Sequence, residues 1–264
     1  MHDLLRVHAQ EQARTTMDTG RASRRRYEQA RTRLTDHYVR HAQAADTHLH
    51  PPGRSVSTLF TGREQALAWF DAERENLLAT THTHAHTQIA LDLGFALGRY
   101  LDWRRHFQDQ VTVRAHALAA CQALSDTLNQ AGAWNNLGNA LGNLKRHAEA
   151  LDAHRTALQL HQESGDVHGQ AVAWNNIGAA SRGLERYAEA IAAGEKAVAM
   201  LTQDEDWARA GEAWGELATT LDASGAEPSR VRGAWEQSAA AYTRAGEDEA
   251  AATSRANAED PPGT

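Results

Sequence analysis

The sequence predicts an all-α protein, a right-handed α-solenoid of helical hairpins that repeats about every 40 residues. About a fifth of its 264 residues are alanine, with only five prolines and little Ile, Val or Phe. That composition favours helix over sheet. Apolar residues recur at helical spacing along most of the chain. Displaced by 40 residues, the chain matches itself: 131–170 and 171–210 share 15 identical positions. Self-similarity at such a period is the mark of stacked helical units.

Composition also removes several function classes. Formal charge is −7, from 27 basic and 34 acidic residues, which argues against general binding to nucleic acid or an anionic membrane. The balance is uneven. Residues 1–50 carry nine arginines against six acidic residues, whereas 201–260 carry five arginines against thirteen. Arg24, Arg25 and Arg26 read as the solvated face of a helix, because no aromatic platform or groove-reading motif flanks them. The single cysteine, Cys121, excludes a disulfide framework and a cysteine zinc finger, and suits a reducing compartment. With no apolar run near the ~18 residues of a membrane span, the expected location is cytoplasmic, with no membrane partner and no direct nucleic-acid partner.

Taken in order, residues 1 to about 14 read as helix, and 24–50 as a second, with Tyr27, Leu34, Tyr38 and Val39 at near-helical spacing. Pro51-Pro52-Gly53 breaks it. Thr61 and Glu64 have the spacing of a capping box and open a helix whose apolar side holds Leu67, Trp69, Phe70, Leu77 and Leu78. Residues 21–86 form a helical linker domain on this reading, 87–258 the solenoid, and 259–264 a disordered tail. Within the repeat, Trp134, Asn135, Asn136, Gly138, Ala150 and Ala157 recur 40 residues later as Trp174, Asn175, Asn176, Gly178, Ala190 and Ala197. A helix-interior glycine costs about 1 kcal/mol against alanine. Its repetition at Gly98, Gly138 and Gly178 therefore predicts close approach of the second helix, at Ala150/Ala190 and Ala157/Ala197. Trp134, Leu144, His147, Leu151 and Leu158 fill the space around that seam. The stretch 91–130 fits more weakly, with Gly94 at the tryptophan position. In 211–246, Trp214, Leu217 and Ala218 fit, but Pro228 and a shift of about four residues precede Ala234 and Ala241. That unit reads as the closing pair.

First-helix side chains away from the seam line a concave wall: Arg99, Asp102 and Trp103, then Asn135, Asn136, Asn139 and Asn143, then Asn175, Asn176 and Arg182, then Glu216 and Thr219. Side-chain amides both donate and accept, so such a ladder suits capture of a protein or peptide ligand in the groove. The same amides could instead bond neighbouring helices and hold the superhelical pitch. Of the 15 histidines, His82 and His86 have i, i+4 spacing around His84, but no carboxylate or thiolate close in sequence completes a metal set. His147, His154 and His161 lie seven apart; His147 aligns with Tyr187 as packing, and His154 aligns with Gly194. No nucleophile elbow, zinc-protease motif or phosphate loop occurs. The expectation is a non-catalytic protein with no cofactor and no metal. A metal-dependent enzyme built on the histidine cluster is the alternative of a different class.

The order tryptophan, leucine, glycine, alanine, alanine resembles the tetratricopeptide repeat (TPR). The string Trp134-Asn135-Asn136-Leu137-Gly138 is similar to a subgroup with extended repeats found in signalling proteins, and the 40-residue period implies longer helices. Met1-His2-Asp3-Leu4-Leu5-Arg6 resembles the MHD motif of NB-ARC proteins, a branch of the STAND signal-transducing ATPases. Tyr38 through Asp46, the break after His50, and Glu64 through Leu77 resemble the linker that joins NB-ARC modules to TPR arms in bacterial transcriptional regulators, some of which control antibiotic production. This resemblance implies the sensor or interaction arm of such a regulator, truncated at the motif, with an NB-ARC ATPase domain as partner in cis or in trans. Residues 1–20 would then be a winged-helix remnant expected to pack poorly, and His2 a nucleotide-sensing remnant. A freestanding TPR scaffold joining protein partners is the alternative.

Overall fold

The computed structural model describes residues 20–50 and 55–260, and every regular element within them is helical. The elements are α1 Gly20–Thr47, α2 Arg63–Thr83, α3 Gln88–Trp103, α4 Phe107–Ala123, α5 Thr127–Asn143, α6 His147–Ser164, α7 Val167–Gly183, α8 Tyr187–Gln203, α9 Trp207–Ala223, α10 Pro228–Ala245 and α11 Asp248–Glu259. From α3 to α10 they pair as successive hairpins, each packed on the next, and this is the expected all-α solenoid. The first helices α5, α7 and α9 also approach one another across the stack, and the second helices do so less. The stack therefore curves with its first helices inside. The expected helix at 1–14, His2, and residues 51–54 and 261–264 lie outside the described residues.

Each 40-residue unit is two 20-residue halves. Helices α4 to α9 are 17 or 18 residues long, and a positive-φ residue recurs at 105, 125, 145, 165, 185, 205 and 225. Beside it an N–H reaches the carbonyl five residues back: Asp126 to Cys121 at 2.9 Å, Arg146 to Leu141 at 3.0 Å, Arg186 to Ser181 at 2.9 Å. This Schellman closure satisfies carbonyls that the helix end leaves orphaned. Only Gly165 and Gly225 among the seven are glycine; Arg105, Ser125, Lys145, Glu185 and Glu205 hold the left-handed conformation against its steric cost. Gly165→Ala is therefore expected to lower the unfolding free energy by about 1 kcal/mol, and Lys145→Gly to move it the other way, both read from urea denaturation. Each new hairpin then starts on an aspartate. Asp126, Asp166 and Asp206 accept from the N–H of Asn129, Gly169 and Arg209 at 3.2, 2.9 and 3.2 Å, caps that relieve orphan amides.

The glycines do make room, but not all for the same kind of neighbour. A Cβ at Gly178 would lie 3.3 Å from the Ala190 carbonyl and 3.6 Å from the Gly194 nitrogen, so backbone meets backbone there as expected. At Gly138 it would strike the His154 ring, and at Gly98 the Arg114 guanidinium. At these two positions the glycine accommodates a side chain of the second helix.

Helices α1 and α2 share a continuous core with the first hairpin, containing Ala42, Ala45, Phe70, Leu77, Leu93, Leu97 and Tyr100. Phe70 stacks on Tyr100 at 4.6 Å. The Tyr100 hydroxyl donates to Asp71 at 3.0 Å, and Arg104 grips the same carboxylate at 2.6 and 3.1 Å. Arg24, Arg25 and Arg26 are exposed on α1, as the solvated-face reading has it. The capping box does not form. Gly62 occupies the cap position, so Thr61 lies one residue too early and instead donates its N–H and hydroxyl to the Gln65 side chain at 2.6 and 3.0 Å. The fourth hairpin departs by one residue, not four. Pro228 opens α10 41 residues after α8 opens, so Ser238 takes the place of Ala197 and its hydroxyl donates to the Gly211 carbonyl at 2.7 Å. Beyond this pair, α11 packs on α10 through Ala251, Ser254 and Ala258.

Candidate functional site

The asparagines of the inner wall divide by what they already bond. The Asn135 Oδ1 accepts from the Nδ2 of Asn176 at 3.0 Å and from the Nδ1 of His154 at 2.8 Å. It thereby ties α5 to α6 and α7. Asn143 donates to Gln110 on α4 at 3.3 Å. Asn136, Asn139 and Asn175 make no side-chain hydrogen bond to another described residue, and all three keep accessible surface. Of the six, these three keep a whole amide unbonded among the described residues.

Toward α3 the wall becomes aromatic and charged. Arg99 is already engaged: it meets His50 at 3.1 Å and Asp46 at 3.6 Å, fastening α3 to the end of α1. Trp103 is 49% exposed under the Arg63 guanidinium, 4.8 Å from its ring centre, and Phe95 is 53% exposed. Between α3 and α5 lies a depression of about 380 Å³ that brings Arg99 and Asp102 together with Asn136, Asn139 and Asn143. Gln110 and Arg114, both from α4, complete its lining. Toward α9 the wall turns acidic. Arg182 donates to Glu216 at 2.6 Å, and Thr219 turns its hydroxyl to the Gly215 carbonyl at 2.9 Å. Glu212 has accessible surface yet stands inside the curve; partial burial, and then the charge of Glu216, lift its carboxyl above the usual range.

Residues 129–203 match the tetratricopeptide repeat family. That span holds the second and third hairpins, α5 to α8, and repeats of this kind make protein-interaction modules. The chain is also similar in fold to a solved structure titled BtubC (BKLC) from P. vanneervenii. The TM-score is 0.50 at 17% sequence identity, covering 74% of this chain and 90% of that one. At this identity the likeness concerns fold alone. No curated protein is similar to the chain in sequence.

The tetratricopeptide module thus carries all six asparagines and Arg182, while Arg99, Asp102 and Trp103 lie before it, and Glu216 and Thr219 after it. Attention to first helices alone overlooks Arg114 and Gln110, which arise from α4 yet line the inner depression. The signal for Arg114 was its alignment with His154 and Gly194, a position that varies opposite a constant glycine.

The histidines are absorbed locally. His154 is 3% exposed, the His147 ring sits against Gly183, and His161 pairs with Asp166 at 2.8 Å. His82 lies 5.4 Å from His116, ring centre to ring centre, where α2 ends. Among the described residues, no cluster of three or more His, Cys, Asp or Glu could hold a metal ion, and no helix is long and apolar enough to cross a membrane. Cys121 is buried, and that burial raises its thiol pKa, which suits a small apolar residue of the core.

Proposed function

We propose that this chain captures an extended protein segment along its inner wall, and that it does so as the sensor arm of an NB-ARC-type regulator. The supporting observation for capture is the row of unbonded amides, Asn136, Asn139 and Asn175, on a wall whose other asparagines are committed to the fold. An extended backbone offers alternating donors and acceptors that such amides can match. The regulator context is supported by the resemblances at Met1–Arg6 and Glu64–Leu77, and its partner would be an NB-ARC ATPase domain, in cis or in trans.

Selection from a displayed random-peptide library against the purified chain tests capture. Enriched peptides are expected to lose at least about tenfold in affinity, about 1.4 kcal/mol, against a variant combining Asn136→Ala, Asn139→Ala and Asn175→Ala, with its melting temperature unchanged. Peptides that bind this variant as well as the parent would overturn the assignment. Added to an NB-ARC ATPase domain, the peptide-loaded chain is expected to change the rate of ATP hydrolysis. No change would favour the freestanding scaffold.

A further inference from the structure

The depression between α3, α4 and α5 contains a charge that has no ion-pair partner among the described residues. Arg114 leaves α4, crosses directly over Gly98, where a single methyl group would block it, and enters the depression. It donates one bond, to the Gly94 carbonyl at 3.1 Å. No carboxylate of the described residues lies within 4.0 Å of it, although Asp102 and Asp46 both act on it at longer range. Burial, and after it the charge of Arg99, pulls the guanidinium below its usual range, though the residue keeps some accessible surface and the group stays charged. A half-buried guanidinium with no carboxylate partner gains from an anion brought against it. Gln110, 7% exposed, accepts at its Oε1 from Asn143, and its amide nitrogen has no partner among the described residues. Arg114 and Gln110 thus converge as donors on one side. One turn from Gly98, Asp102 is an exposed carboxylate with no ion pair among the described residues. Phe95 adds an open aromatic face.

We propose that this depression is a small-molecule site for a zwitterion, an α-amino acid with an apolar side chain. Its carboxylate meets Arg114 and Gln110, its ammonium meets Asp102, and its side chain lies on Phe95. Opposite charges that face one space without pairing match a ligand that carries both. The volume of about 380 Å³ falls in the range of small-ligand pockets. The depression borders on Asn136 and Asn139 of the capture wall, but the carboxylate contacts proposed here, Arg114 and Gln110, come from α4, which an extended segment on the first helices does not need.

The test is titration of the full chain with L-leucine and L-phenylalanine, followed by the side-chain amide NMR signals of Gln110, Asn136 and Asn139. At least one is expected to bind below about 1 mM. The leucine analogue without its ammonium, 4-methylpentanoate, and the one without its carboxylate, 3-methylbutylamine, are expected to bind at least about tenfold more weakly. Arg114→Gln should abolish binding. Gly98→Ala should also weaken it, with charge unchanged, because the new methyl group displaces the guanidinium; a melting curve close to that of the parent shows the fold intact. Asp102→Asn should erase the advantage of leucine over 4-methylpentanoate. Failure of both amino acids at about 10 mM, equal binding of leucine and 4-methylpentanoate, or unchanged binding in Arg114→Gln would each overturn the proposal.

Discussion

Restoring the repeat's tryptophan in the first hairpin, Gly94→Trp, is expected to destabilise it, by at least about 3 kcal/mol. The tryptophan position is filled at Trp134 and Trp174, so alignment alone would recommend the change. The packing forbids it. A Cβ at Gly94 would stand 2.7 Å from the Cβ of Ala117, closer than two methyl groups can approach, and Ala117 has no flexible end to move aside. Gly94→Ala already demands that α3 and α4 separate and should cost about 1–3 kcal/mol. The control is Gly132→Ala, in the interior of α5, where nothing lies within 4 Å. There the added methyl only restricts the unfolded backbone, and stability should rise by about 0.5–1 kcal/mol. Urea denaturation followed by circular dichroism reads all three. A Gly94→Trp protein as stable as the parent would mean that the first hairpin is looser than its packing shows.

Much of the fold was legible because period and packing share one cause. Trp134/Trp174, Gly138/Gly178 and Ala157/Ala197 repeat since hairpins that stack on copies of themselves meet the same neighbours each time. The turns were not legible. Five of the seven left-handed positions carry Arg, Ser, Lys or Glu in place of glycine, so the residue that normally announces a helix end was missing, and the Schellman bonds alone mark it. The capping aspartates did recur at 126, 166 and 206, but they fall outside the apolar pattern by which the repeats were aligned. Thr61 and Glu64 failed as a capping box because a spacing of three says nothing about where the chain bends, and Gly62 bends it one residue later.

The site was legible as a surface and illegible as a set of roles. Asn135 and Asn136 are adjacent and chemically identical, yet successive residues of a helix point about 100° apart. One therefore faces α7 and His154, while the other faces the groove. No sequence pattern separates them, because the decisive quantity is what stands opposite. Arg114 makes the same point from the other side. It belongs to a second helix, which periodicity assigns to the outer layer, and only the missing side chain of Gly98 lets its guanidinium through to the inner wall.

His154 turns that internal contact into a pH dependence. Its ring is 3% exposed, against Gly138, and its Nδ1 donates to the Asn135 Oδ1, which also accepts from Asn176. Burial lowers its pKa from 6.5 to about 4, because the charged ring would lose its hydration. A histidine whose pKa is lower folded than unfolded binds its proton more readily in the unfolded chain. Its contribution is complete above about pH 6.5 and is lost progressively as pH falls toward 4. With one pKa unit worth about 1.4 kcal/mol, moving from pH 7.5 to 5 should cost the protein on the order of 2 kcal/mol through this residue. His154→Gln removes the titration and keeps a donor for Asn135. The parent should therefore lose about 2 kcal/mol more than this variant between the two pH values. His37, His84 and His116, also lowered chiefly by burial, titrate in both proteins and cancel in the difference. Asn135→Ala should cost about 1–3 kcal/mol even at pH 7.5, since it strands the buried donor of His154 and the half-buried one of Asn176. Parallel stability curves for the parent and His154→Gln would show that His154 reaches water in the folded chain, and would remove Asn135 from the set of structural amides.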